Sequence, residues 1–160
     1  MIRIVEGDLL EANENIIAHQ ANCRGSMGAG VAKQIREKWP DIFADYVTFC
    51  SAHHRSGREL LGEMWVSQTF NEYGMPIEVC HLFGQDGYGR GGCNTDYISL
   101  GRALYRLKLY AIKNRSSIAM PYKIGCGLGG GDWEKMVYPM LEDIFGGNDV
   151  ELVLYRKEEN

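Results

Sequence analysis

Residues 16–39 read Ile-Ile-Ala-His-Gln-Ala-Asn-Cys-Arg-Gly-Ser-Met-Gly-Ala-Gly-Val-Ala-Lys-Gln-Ile-Arg-Glu-Lys-Trp. An apolar run, Ile16 to Ala18, gives way to polar His19, Gln20 and Asn22, then to Gly25, Gly28 and Gly30, and then to Val31, Ile35 and Trp39 at helical spacing. That order predicts a strand, a glycine-rich loop and a helix. Backbone without Cβ atoms approaches a ligand closely, and the following helix adds its orphan N–H groups and positive dipole end, so the unit is suited to an anion, phosphate above all. Glycine before a helix also serves ordinary turns. The stretch is neither of the familiar phosphate loops: Gly30 is followed by Val31 and Ala32 rather than Lys-Ser/Thr, and the dinucleotide glycine spacing is not met.

A chain of 160 residues fits one domain, 1–160, able to bury roughly 70% of its unfolded surface without staple or metal. A formal net charge of -4 and a pI near 5.6 argue against a protein that tracks a nucleic-acid backbone and leave room for a local site holding one small anionic ligand. The five cysteines, Cys23, Cys50, Cys80, Cys93 and Cys126, show no Cys-x-x-Cys spacing, so neither a disulfide framework nor a zinc knuckle is expected. A reducing compartment follows. Charge at Arg3, Glu6 and Asp8 breaks any signal-peptide core, and no long apolar run occurs, so a cytoplasmic protein without a membrane partner is expected.

Outward from the central unit, Ile2 to Val5 reads as a first strand and residues 11–15 as a turn. Asp41 to Cys50 carries Ile42, Tyr46 and Phe49 at helical spacing, and Ser51 to Leu61 is a polar connection whose His53-His54 pair has no metal spacing. Glu63 to Phe70 and Ile77 to Phe83 are strands that form a hairpin or lie as neighbours. A second glycine cluster, residues 84–93, leads to a helix from near Thr95 with Leu100, Leu104, Leu107 and Ala111 on one face. Ser117 to Met120 is a short strand. A third cluster, residues 125–132, precedes a helix with Trp133, Val137, Leu141 and Ile144 inward, kinked or made irregular in its first turns by Pro139. Val150 to Tyr155 closes the chain as a strand. Strands alternating with helices, with glycine loops between strand ends and helix starts, define an α/β protein whose ligand binds at the strand ends.

Four segments together resemble the macrodomains, which bind ADP-ribose: Gly7-Asp-Leu-Leu10; His19-Gln-Ala-Asn22 with Gly25-Ser-Met-Gly-Ala-Gly30; Leu82-Phe-Gly84; and Met120-Pro-Tyr-Lys-Ile-Gly-Cys-Gly-Leu-Gly-Gly-Gly-Asp-Trp133. The likeness is to the branch containing the yeast ADP-ribose-1''-phosphate phosphatase and, more distantly, the terminal ADP-ribose glycohydrolases. It implies a three-layer α/β/α fold with a central mixed sheet. It further implies that Asp8 accepts from the adenine amine with Leu9 nearby, that Asn22 sits by the distal ribose, and that Gly28, Ala29 and Gly30 line a first diphosphate loop. Gly127, Leu128, Gly129 and Gly130 would form a second, and Tyr155 would lie near adenine. Asp8 as a turn cap and Tyr155 as edge packing are the alternatives from ordinary usage.

The chain departs from the glutamate-specific glycohydrolases at two positions: their lysine and aspartate correspond here to Gln85 and Gly129. Asp132 remains as a carboxylate near that loop, with helix capping as its other reading. Cys126 as a phosphatase nucleophile fails, because the required arginine six residues on is Asp132. His19 is the second candidate for acid-base work, with a structural histidine as the alternative. The catalytic candidates are therefore His19, Asn22 and Asp132. The expected activity is a hydrolase acting at the distal ribose of ADP-ribose-1''-phosphate or an ADP-ribosyl ester, the alternative being a non-catalytic reader of ADP-ribose. ADP-ribose or ADP-ribose-1''-phosphate is the expected partner, with an ADP-ribosylated protein or nucleic-acid end as further candidates. No cofactor or metal is expected, and the chain is expected to be a monomer.

Overall fold

The computed structural model describes residues 1–53, 58–89 and 91–157, so His54 of the sequence pair lies outside the described residues. Six strands, β1 (Ile2–Glu6), β2 (Ile16–Asn22), β3 (Met64–Phe70), β4 (Pro76–Gln85), β5 (Ile118–Pro121) and β6 (Leu152–Arg156), form one sheet in the order β1-β6-β5-β2-β4-β3. All pairings are parallel except β3 with β4, which is the antiparallel hairpin expected from residues 63–83.

Helices α1 (Gly30–Lys38) and α2 (Pro40–Ala52) cover one face, and α3 (Tyr97–Asn114) and α4 (Tyr138–Phe145) the other. The period of two in β2 explains how both faces are served: Ile16 and Ala18 join the core under α3 and α4, while Ile17 and Ala21 join the core under α1 and α2. Helix α3 buries Leu100, Leu104, Leu107 and Ala111, the stripe read from the sequence. Each fully buried leucine there contributes roughly 2 kcal/mol by removal from water.

The last helix differs in phase from the sequence reading. Trp133–Val137 is a π-turn in which both Met136 and Val137 donate to the Asp132 carbonyl, and α4 follows from Tyr138. Pro139 has no N–H, and its ring would collide with the residue 135 carbonyl in a continuous α-helix, so the wider turn relieves the clash. The irregular first turns are therefore as expected, but the inner face ends on Phe145, 1% exposed, while Ile144 is only half-buried.

The chain leaves the C-terminal end of β2 toward α1 on one face, whereas β4 and β5, its two neighbours, lead to helices on the other. Oppositely directed connections at adjacent strand ends open a crevice there.

Candidate functional site

That crevice is a cavity of about 610 Å³ at the ends of β2, β4 and β5. One wall is the loop from Ser26 into α1, the other the segment from Pro121 to Gly129, and His19, Gln20, Asn22 and Gln85 line it between them.

Asn22 builds the first wall. Its Oδ1 accepts from the Arg24 and Ser26 amides at 3.0 and 3.2 Å, and its Nδ2 donates to the Ser26 carbonyl at 2.8 Å. The Tyr46 hydroxyl, carried by α2, donates to the Asn22 carbonyl at 2.5 Å. The loop is thus wrapped around one carboxamide, and three of that group's contacts are spent on backbone. Helix α1 then starts at Gly30 after Ala29, an N-cap residue with no side-chain hydrogen bond, whereas α3 and the π-turn are capped by Asp96 and Asp132. Among the described residues, no hydrogen bond takes the amides of Met27 to Ala32 on this wall or those of Gly127 to Gly129 on the other. Two rows of free N–H groups, one at a helix N-terminus, are what an anion such as a diphosphate requires.

The second wall is fastened to the sheet. Gln20 Nε2 donates to Gln85 Oε1 at 2.6 Å and to Thr95 Oγ1 at 2.9 Å, and Thr95 Oγ1 donates to the Gly125 carbonyl at 2.7 Å. Gly129 closes this arrangement: a Cβ there would lie 2.6 Å from Thr95 Oγ1 and 2.7 Å from the Gly125 carbonyl oxygen. The aspartate of the glycohydrolases therefore has no room at position 129. Gln85, which the resemblance sets where the glutamate-specific glycohydrolases carry lysine, is held by Gln20 and donates to the Gly87 carbonyl at 2.7 Å.

His19 lies at the cavity floor, 1% exposed, with Nε2 2.9 Å from His81 Nδ1 and its own Nδ1 without a hydrogen-bond partner. Burial lowers its pKa from 6.5 to about 4, against a smaller opposing contribution from the Gln20 backbone, so the ring is neutral at pH 7. Cys126 also lines the cavity, and burial followed by the nearby Asp132 charge pushes its thiol up to about 11, which keeps it a thiol rather than a nucleophilic thiolate. Lys123 brings an ammonium to the rim.

The structure thus brings His19, Asn22, Gly28, Ala29, Gly30, Gly127, Leu128 and Gly129 to one cavity. Asp132, Gly130, Asp8, Leu9 and Tyr155 do not line it. Asp132 is exposed, and its Oδ1 caps the π-turn by accepting from the Lys135 amide at 3.0 Å. Asp8 caps the short 3₁₀ turn Leu9–Glu11, accepting from the Leu10 amide at 2.9 Å, and Leu9 is buried in the core beneath it. Tyr155 donates to Glu14 at 2.5 Å. Gly130, at φ +73, has its Cβ position against the Gly92 carbonyl. Sequence reasoning passed over Gln20, Tyr46, Thr95 and His81. Tyr46 was visible only as one residue of a helical stripe, Gln20 and His81 acquire meaning through strand register, and Thr95 through its hydroxyl contacts to Gln20 and the Gly125 carbonyl.

Parallel strands that send their helices to opposite faces, with a cleft between glycine loops at the switch, define a ligand-binding α/β domain. The chain belongs to the Macro domain family, whose pattern it matches over residues 18–139. It is 30% identical over 155 residues to the DNA ADP-ribosyl glycohydrolase of Mycobacterium tuberculosis, an alignment covering 97% of this chain and 42% of that protein. It is 35% identical over 102 residues to the ADP-ribose 1''-phosphate phosphatase of Debaryomyces hansenii, covering 56% of this chain and 57% of that one. The chain thus spans about two fifths to three fifths of the length of these relatives. The macrodomain of Mycobacterium tuberculosis DarG superposes with a TM-score of 0.80 at 26% identity over 97% of both chains. Among the described residues no helix is long and apolar enough to cross a membrane.

Proposed function

We propose that this chain binds ADP-ribose across the cavity and hydrolyses the bond between the distal ribose and its leaving group. The observation that carries the reading is the pair of facing walls with free amides, Met27 to Ala32 and Gly127 to Gly129, on either side of a cavity of about 610 Å³. A diphosphate accepts from both rows at once, and the nucleoside and distal ribose then extend to either side. Two relatives named for opposite leaving groups, DNA in one and phosphate in the other, share ADP-ribose as the retained half, which supports a site built around that half. Water activation falls to His19 at the floor or to Asp132 brought in from the rim. A neutral imidazole with a pKa of about 4 is a weak base, so turnover is expected to be slow.

The second reading, a binder without activity, is favoured by one observation: among the described residues no carboxylate lines the cavity. One experiment separates the two. Calorimetry should show ADP-ribose binding and AMP binding far more weakly, and the same preparation should release phosphate from ADP-ribose-1''-phosphate or ADP-ribose from ADP-ribosylated DNA, unaffected by chelator. Binding without either turnover selects the binder. No heat and no thermal shift with millimolar ADP-ribose rejects both.

A further inference from the structure

Among the described residues that line the cavity, Lys123 is the one that carries a charge. It stands at the third position of a four-residue turn from Pro121 to Ile124, closed by the Ile124 amide donating to the Pro121 carbonyl at 3.1 Å, and its φ is +63. A turn with positive φ at that position favours glycine or asparagine, because in the left-handed region a Cβ crowds the following carbonyl. Arg115, the other non-glycine residue with positive φ among the described residues, ends α3, and its amide donates to the Ala111 and Ile112 carbonyls, which is how that conformation ordinarily serves a helix end. Lys123 ends no helix.

Its ammonium belongs to the cavity. The Nζ lies over the Tyr122 ring, 5.7 Å from the centroid, and Tyr122 is itself a lining residue. The lysine charge is felt by the Cys126 thiol of the same wall, where it opposes the upward push of burial and of Asp132. No acid neutralises it: the Arg156 guanidinium over the same ring, at 5.3 Å, is paired with Glu6 at 2.6 Å, whereas Lys123 has no ion pair among the described residues. A disfavoured backbone under an unpaired cation gives the turn nothing that asparagine would not give it, so what lysine adds is charge on the cavity side.

We infer that Lys123 is an anion-binding residue whose ammonium pairs with a phosphate of the ligand's diphosphate, beside the free amides of Gly127 to Gly129 on the same wall. The inference rests on the ADP-ribose reading. The amides are neutral, so their hydrogen bonds respond little to salt, whereas an exposed ammonium is screened by it. The chain's net charge of -4 repels an anion at a distance, and Lys123 offsets that repulsion at the cavity mouth. Binding thus depends on ionic strength through one side chain.

Calorimetry with ADP-ribose and with ADP tests this on the parent, Lys123→Asn and Lys123→Arg, at about 0.02 M and about 0.5 M sodium chloride, either side of the salt at which charges are screened over about 10 Å. Asparagine suits the turn and removes the charge, so Lys123→Asn should melt at or above the parent's temperature. It should bind both ligands about three- to tenfold more weakly at the lower salt, a scale between an exposed ion pair and a charge-assisted hydrogen bond. At the higher salt the two proteins should converge, and Lys123→Arg should keep the parent's affinity and its salt dependence. Equal affinity of parent and Lys123→Asn at the lower salt, a loss that salt does not reduce, a lower melting temperature in Lys123→Asn, or the same loss in Lys123→Arg overturns the anion role. A parent that binds ADP-ribose without regard to Lys123 overturns the inference alone. A parent that binds ADP but not ADP-ribose, with ADP weakened in Lys123→Asn, supports the lysine's role and overturns the function reading, and one that binds neither overturns both.

Discussion

Two glycines in the cavity walls are there for different reasons, and substitution separates them. Gly30 has φ +59, and nothing lies within 4 Å of where its Cβ would be, so a side chain at that position meets open cavity. Gly30→Glu should therefore abolish ADP-ribose binding by occupying the phosphate position with like charge, beyond the modest cost of a left-handed backbone, with the circular dichroism spectrum retained. Gly129 faces protein instead, and Gly129→Ala should lower thermal stability through the collision with Thr95 and the Gly125 carbonyl, on the order of 1–3 kcal/mol for overpacking. A melting curve and a titration on each variant check both halves. If Gly30→Glu binds normally, the first wall lies away from the ligand. The glycine clusters were legible in the sequence, but their division of labour was not, because the partner of Gly129 is a hydroxyl 34 residues earlier.

At the scale of elements, the π-turn decides what Asp132 is for. Its carboxylate caps Lys135 at 3.0 Å and does not line the cavity, so the cap alone predicts that Asp132→Ala costs about 1 kcal/mol while Asp132→Asn costs little. A role in water activation makes the opposite distinction: Asp132→Asn keeps the turn and loses the charge, so its turnover would fall about 10²-fold or more at full stability. Turnover and melting temperature on both variants separate the roles. The same element shows where periodicity stops being readable. Strands, the α3 stripe and the hairpin follow from patterns of two and 3.6, and the structure carries them as the sequence does. Pro139 gave notice of irregularity, yet the slip that buries Phe145 in place of Ile144 depends on how the wide turn is completed, which no residue type announces.

For the molecule as a whole, the buried histidines make stability depend on pH. Burial lowers the pKa of His19 from 6.5 to about 4, and that of His81 falls well below 6.5 through burial and the neighbouring His19. Between these values the unfolded chain binds protons that the folded one does not, so stability is full above about pH 7 and is lost as pH falls through 6.5 toward 4. For His19 alone the loss is on the order of 2 kcal/mol by pH 5. Urea denaturation at pH 7.5 and pH 5 should show it, and His81→Phe should reduce the difference to the share carried by His19. A pH-independent midpoint would mean that the pair is not kept neutral in the folded state. His19 was singled out in the sequence and His81 was not, because 62 positions separate them and only the register of β2 on β4 makes them a pair.

The fastening of the second wall also bears on how this chain could change over generations. Placing a carboxylate at position 129 takes a single substitution on paper, yet the space is taken by Thr95, by the Gln20 carboxamide and by the backbone carbonyl of Gly125. Two of those are side chains that substitution could trim. The third is main chain, which no substitution deletes, so a chain acquiring an acid there would carry a distorted loop. A carboxylate at position 129 is therefore open to this chain only together with a rebuilt loop.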